Sequence, residues 1–123
     1  MHDARMAQRV LIVDDHRGFR QLARRLVQEV GLNVVGEASN GDEALREERR
    51  LRPDIVLLDV QLPDLDGFMV ARSLSRVAAP PAVVLISTRD ASDYGPRIDG
   101  CGALGFISKA KLTAASLSAL LRR

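Results

Sequence analysis

The chain has 123 residues, 46% of them hydrophobic and 28% charged, with 18 basic and 16 acidic side chains and a formal net charge of +2. That length holds one domain around one core, and the composition argues against a disordered chain or a coiled coil. The longest apolar runs fall well short of the ~20 residues a membrane-spanning helix needs, no signal-peptide apolar region is present, and the lone Cys101 excludes an internal disulfide, so a cytoplasmic protein with no membrane partner is expected.

Residues 1–8 are expected to form a flexible N-terminus, and residues 9–122 one domain. Val10-Leu11-Ile12-Val13 is the first of three continuous apolar runs. Continuous rather than alternating apolarity marks a strand buried on both faces, as in a parallel sheet covered by helices. Phe19, Leu22, Ala23, Leu26, Val27 and Val30 recur at three- and four-residue steps, which predicts one helical stripe facing the sheet and ending at Gly31. A weaker strand follows from Asn33 to Ala38. Asn40 with Glu43 three residues later reads as a capping box that opens a helix stopping near Pro53.

Ile55 to Leu58 is the second continuous run, Gly67 to Arg76 the next helical pattern, and Ala82 to Ile86 the third run. Gly95 and Pro96 interrupt Asp90 to Asp99, and because an interior proline costs ~3 kcal/mol, that helix is expected short or distorted. A strand at Gly105 to Ser108 and a helix from Lys111 to Arg122, with Ala114, Leu117, Leu120 and Leu121 inward, complete the series. Strand and helix alternate throughout, which predicts an α/β, doubly wound parallel sheet of five strands with right-handed crossovers. The arginines concentrate between Arg17 and Arg25 and between Arg46 and Arg52, where they occupy polar helix positions and alternate with Glu43, Glu47 and Glu48. They read as solvated helix faces, not as a nucleic-acid surface.

In an open α/β sheet, ligands bind beyond the carboxyl ends of the strands. Asp14 and Asp15 end the first strand, Asp59 the third, Ser87 the fourth and Lys109 the fifth. Two unit charges ~5 Å apart repel by about 3 kcal/mol at an effective dielectric of 20, and a cation relieves that repulsion. Hard oxygen ligands favour Mg²⁺ or Mn²⁺ over zinc, and Mg²⁺ in an open site takes a phosphate oxygen as a further ligand. Asp59 is then the natural nucleophile, giving an acyl phosphate, with Lys109 neutralising phosphoryl oxygens and Ser87 donating a hydrogen bond to one of them. His16 reads as a surface side chain, and Asp64 and Asp66 as residues that shape the turn before Gly67 and cap the helix after it.

Val-Asp-Asp at 13–15, Leu-Leu-Asp-Val-Gln-Leu-Pro-Asp-Leu-Asp-Gly at 57–67, Leu-Ile-Ser-Thr at 85–88 and Gly-Phe-Ile-Ser-Lys at 105–109 jointly resemble the response-regulator receivers of two-component signalling. The resemblance implies a flavodoxin-like sheet in the strand order 2-1-3-4-5. It also implies phosphorylation of Asp59 by a histidine kinase or phosphotransfer protein, and a metal held by Asp14, Asp15, Asp59 and the Gln61 backbone carbonyl. Ser87 and Phe106 would form the switch pair. Ala110 stands where many receivers have proline, as in members resembling those joined to LuxR-type output domains. Gln61 and Arg89 occupy positions that vary in the family and flank the phosphoryl group, so they are expected to tune dephosphorylation.

Two other readings stand beside this one. A binding module of the same fold without phosphorylation would not need the set Asp14, Asp15, Asp59, Ser87 and Lys109. An aspartate-nucleophile phosphatase would carry a second acid two residues after the nucleophile, where this chain has Gln61. The expected partners are therefore a kinase, an output domain or effector protein, and, on phosphorylation, a second copy meeting through the first and last helices or the fourth-strand side.

Overall fold

The computed structural model describes residues 7–122. The apolar runs become the strands β1 (Arg9–Val13), β3 (Ile55–Asp59) and β4 (Ala82–Ser87), joined by the weaker β2 (Asn33–Ala38) and β5 (Gly105–Ser108). All pair in parallel, in the order β2-β1-β3-β4-β5. The crossovers carry α1 (Arg17–Glu29), α2 (Gly41–Leu51), α3 (Gly67–Leu74), α4 (Arg97–Gly100) and α5 (Ala114–Leu121).

Side chains alternate across the sheet, so each strand serves two apolar layers. Val10, Ile12, Ile55, Leu57, Val84 and Ile86 pack with Ala23 and Val27 of α1 and Leu117 and Leu120 of α5. Leu11, Val13, Val56, Leu58, Val83 and Leu85 pack with Ala44 of α2 and with Phe68, Val70 and Leu74 of α3. Every residue of β3 is buried, and burying a Leu or Val side chain contributes roughly 1.5–3 kcal/mol, so the central strand is the most firmly held platform in the molecule.

Several boundaries differ from the sequence reading, each for a local reason. The α1 stripe is narrower than six residues: Ala23 and Val27 are buried, whereas Leu22 is 43% exposed at its edge. The last helix starts at Ala114, because the Thr113 hydroxyl accepts from the Ser116 amide and the Ser116 hydroxyl accepts in return, while Lys109–Lys111 form a separate 3-10 turn. The third helix ends at Leu74, two residues early, with Ser75 as its C-cap. The interrupted segment is distorted as expected, split into a 3-10 turn at Ala91–Asp93 and the single helical turn of α4. Of the N-terminal stretch expected to be flexible, residues 1–6 lie outside the described residues, and the Gln8 carbonyl already accepts from the Asn33 amide at 2.9 Å. Among the described residues, no helix is long and apolar enough to cross a membrane.

Candidate functional site

Strand register brings the polar residues to one edge. Val13 pairs with Leu58, so the next residues, Asp14 and Asp59, emerge side by side. Asp59 pairs with Ile86 and Ser87 with Ser108, which sets Ser87 and Lys109 one step further along the same edge. Asp14 is fully buried and Asp59 is 4% exposed. Between them the Lys109 ammonium donates to Asp14 Oδ2 at 2.6 Å and to Asp59 Oδ2 at 3.2 Å. Backbone amides hold the other oxygens: His16 N–H donates to Asp14 Oδ1 at 2.7 Å, and Gln61 N–H to Asp59 Oδ1 at 3.0 Å. Phe19 supports Lys109 from α1, with the ammonium 4.2 Å from its ring centroid.

The two carboxyls are pushed apart electrostatically. Burial, then the hydrogen bond shared with Asp14, pushes the Asp59 carboxyl up to about 6, against the Gln61 amide and the Lys109 charge. Burial also opposes the Asp14 charge, but the Lys109 ammonium, the hydrogen bond shared with Asp59 and the His16 amide outweigh it and hold that carboxyl below its ordinary range. Burial likewise works against the Lys109 charge, yet its hydrogen bond to Asp14 and the charges of both acids keep the ammonium above its ordinary value. Asp14 therefore loses its proton first, and Asp59 is the acid left short of compensation.

Asp15 lies outside that buried triad, with a side chain 36% exposed. His16 is a surface side chain as expected, 74% exposed, but its Nδ1 sits 3.0 Å from Asp15 Oδ1 and 3.4 Å from Asp14 Oδ1. Ligand atoms of Asp14, Asp15 and His16 gather within 4.8 Å of one another, whereas Asp59 reaches the group through Asp14 and Lys109.

Beyond β3 the chain doubles back closely, pairing Gln61 with Asp66 as an isolated antiparallel bridge. Gly67 allows it, because a Cβ there would stand 2.5 Å from the Asp59 carbonyl oxygen. Asp66 caps α3 as expected, accepting from the Phe68 amide at 2.8 Å. Asp64 corrects the sequence reading: it accepts from Leu65 within the turn, but the helix it caps is α2, through the Gly41 and Asp42 amides at 2.7 and 2.9 Å. Those amides hold its carboxyl below the usual range.

Ser87 is fully buried, and its hydroxyl bonds to Tyr94 and Arg89 rather than to the acids. Its Oγ lies 2.7 Å from the Tyr94 hydroxyl and accepts from the Arg89 amide at 3.1 Å. Phe106 is partly buried against the core, and Tyr94 stands between it and Phe68, with ring centroids 5.8 and 5.2 Å away. The Arg89 side chain is exposed. A groove of about 510 Å³ lies on the β5 side, lined by Asp90, Phe106, Ser108, Lys111 and Ser116 among others, and none of Asp14, Asp15 and Asp59 borders it. Charge geometry, not concavity, singles out the acidic edge.

Three residues in this neighbourhood have no sequence signal of their own. Tyr94 lies in the segment that Gly95 and Pro96 disrupt. Phe19 carries the periodicity of a core residue. Arg20 belongs to an ordinary basic face, yet it donates to the Asp14 carbonyl at 2.7 Å and to Glu37 at 2.9 Å. Arg24 joins it on Glu37, and Arg46 and Arg50 pair with Asp42 and Glu47, so much of the arginine charge is met locally.

Residues 10–121 match the family model of the response regulator receiver domain. The response regulator GacA of Pseudomonas viridiflava is 37% identical over 82% of this chain and 48% of that protein. A protein-glutamate methylesterase/protein-glutamine glutaminase of Hahella chejuensis is 43% identical over 68% of this chain but only 24% of its own length. The chain thus spans about half the length of the first curated relatives it matches. Among solved structures, a two-component response regulator of the LuxR family from Aurantimonas sp. SI85-9A1 superposes with a TM-score of 0.82 at 30% identity, covering 95% of this chain and 87% of that one. The chemotaxis response regulator CheY4 of Vibrio cholerae gives 0.82 at 25% identity, covering 96% and 98%.

Proposed function

The chain belongs to the response regulator receiver domain family, and from that premise we propose that Asp59 is its phosphoacceptor, charged by a histidine kinase or a phosphotransfer protein. The observation that carries this reading is the position of Asp59: buried at the end of the central strand, one oxygen on the Gln61 amide and the other on Lys109. In the transfer, an Asp59 oxygen attacks phosphorus and a new O–P bond forms as the bond from phosphorus to the donor breaks, the donor leaving with the electron pair. Lys109 follows the charge onto the phosphoryl oxygens, which needs only a change of partner by a flexible ammonium already between the two acids.

The donor set fits a hard divalent cation, because two buried carboxylates share a single ammonium and Asp15 adds a third acid beside them. Asp14, Asp15, Asp59 and the Gln61 carbonyl would hold Mg²⁺, or Mn²⁺ in its place. When bound, the cation supplies neutralisation of the phosphoryl oxygens. The residues of the chain do the rest: Lys109 and the Gln61 amide orient the nucleophile, Ser87 donates to a phosphoryl oxygen, and Phe106 follows Ser87 in the switch. Gln61 and Arg89, both exposed beside the site, set access of water and hence the lifetime of the acyl phosphate.

The domain is a switch and not a turnover enzyme, its chemistry being self-catalysed phosphoryl transfer and autodephosphorylation. It acts in the cytoplasm by changing its contacts with an output domain or effector protein, or with a second copy of itself, and does not contact nucleic acid directly. Incubation with a small phosphodonor and Mg²⁺ tests the core of this reading. Wild type gains the mass of one phosphoryl group and Asp59→Asn does not; an equal gain in both overturns it.

A further inference from the structure

Ser87 and Lys109 both belong to the proposed phosphoryl site, yet only Lys109 already touches the acids. The Ser87 hydroxyl is instead hydrogen-bonded to the Tyr94 hydroxyl, at 2.7 Å. A hydroxyl has one proton and two lone pairs. Ser87 Oγ accepts from the Arg89 amide, and Ser87 is wholly buried, so its proton needs an acceptor within the protein. The Tyr94 oxygen is the acceptor in reach. A proton given to Tyr94 is not available to a phosphoryl oxygen, and with the opposite polarity the Oγ would still be fixed towards the ring.

Tyr94 is itself held from two sides, edge-on to Phe68 of α3 and to Phe106 of β5. Its backbone belongs to a stretch with little regular structure, where Gly95 has φ +60° and α4 is a single turn with no side-chain cap. Side-chain tethers do much of the holding here: Arg97 pairs with Asp66 at 2.6 Å and lies 4.4 Å above the Phe68 ring. A segment with so little regular backbone structure, held mainly by exposed side-chain contacts, is the kind that opens locally at low free-energy cost.

We propose that Tyr94 is a positioning residue that holds the Ser87 hydroxyl away from the acids until a phosphoryl group competes for it. This deepens the reading of Asp59 as phosphoacceptor and rests on it. Capture of the Ser87 proton by phosphate breaks the link to Tyr94, and the ring, wedged between Phe68 and Phe106, passes the change to α4 and β5. Loss of the latch removes one hydrogen bond that must break on the way to the phosphorylated state.

Tyr94→Phe deletes the hydroxyl and keeps the ring, so the aromatic packing survives. Wild type, Tyr94→Phe, Ser87→Ala and the double variant are treated with acetyl phosphate and Mg²⁺, and phosphoryl uptake is followed by intact mass. The expected result is uptake about fivefold faster in Tyr94→Phe, the worth of one ordinary hydrogen bond, with the double variant no faster than Ser87→Ala. Tyr94 is the only tyrosine and the chain has no tryptophan, so intrinsic emission reports on this ring alone. Emission changes on phosphorylation in wild type and stays constant in Ser87→Ala. Equal uptake by wild type and Tyr94→Phe, or the same acceleration without Ser87, overturns the role of Tyr94 while leaving Asp59 as acceptor. Absence of any mass gain in wild type overturns both.

Discussion

The two halves of the sheet's carboxyl edge are built on different principles. At the ends of β1 and β3, buried charges sit on a fully buried strand, pinned by backbone amides and by Lys109. At the ends of β4 and β5, a hydroxyl, three aromatic rings and an exposed ion pair tie down a segment with little regular structure. The first arrangement holds the proposed phosphoacceptor in place at an electrostatic cost. The second relies on side-chain contacts where regular backbone pairing is sparse, the kind of segment that opens locally at low cost.

The largest effect that sharpens this contrast comes from Lys109→Met, which strands two buried acids without their cation. It is expected to cost about 3 kcal/mol of unfolding free energy at neutral pH. Urea titrations across pH check it: the loss shrinks on acidification, as Asp59, already pushed up to about 6, takes up its proton. Gly67→Ala follows at about 2 kcal/mol, because its Cβ meets backbone at 2.5 Å and nothing flexible can yield. A wild-type midpoint in thermal unfolding would show that the loop relaxes instead.

Asp59→Asn has the opposite sign. The folded carboxyl titrates at about 6, above its ordinary value of 3.8, so the folded state holds an extra proton between those values. In the metal-free protein this group therefore makes stability fall as pH rises from about 4 to about 6, and its removal stabilises by up to about 3 kcal/mol at pH 7. Asp14, whose carboxyl is lowered, contributes the reverse slope in stronger acid. Unchanged pH dependence in Asp59→Asn would place the strain elsewhere. Smallest is Arg97→Ala, an exposed pair worth under ~1 kcal/mol in global stability. Its effect is local: hydrogen exchange quickens from Tyr94 to Cys101 and stays constant at Asp14 and Asp59.

The better legible half is the rigid one. Continuous apolarity reports burial on both faces, and register then carries Asp14, Asp59, Ser87 and Lys109 to one edge without further information. Residues whose role depends on distant backbone stayed hidden. Asp64 caps α2 across a loop, and its spacing from Gly67 suggested the nearer helix instead. Tyr94 follows a serine in no periodic relation, so nothing in the chain announces that their hydroxyls meet. Leu22 fits the α1 stripe by spacing alone, but α1 packs on too narrow a line to bury it.

Chemical trapping tests the central assignment most directly. Borohydride reduces an acyl phosphate to an alcohol, so protein treated with phosphodonor and Mg²⁺, reduced and digested should carry homoserine at position 59. Homoserine at Asp14 or Asp15, or a phosphoryl group that survives reduction on a hydroxyl side chain, would contradict the account.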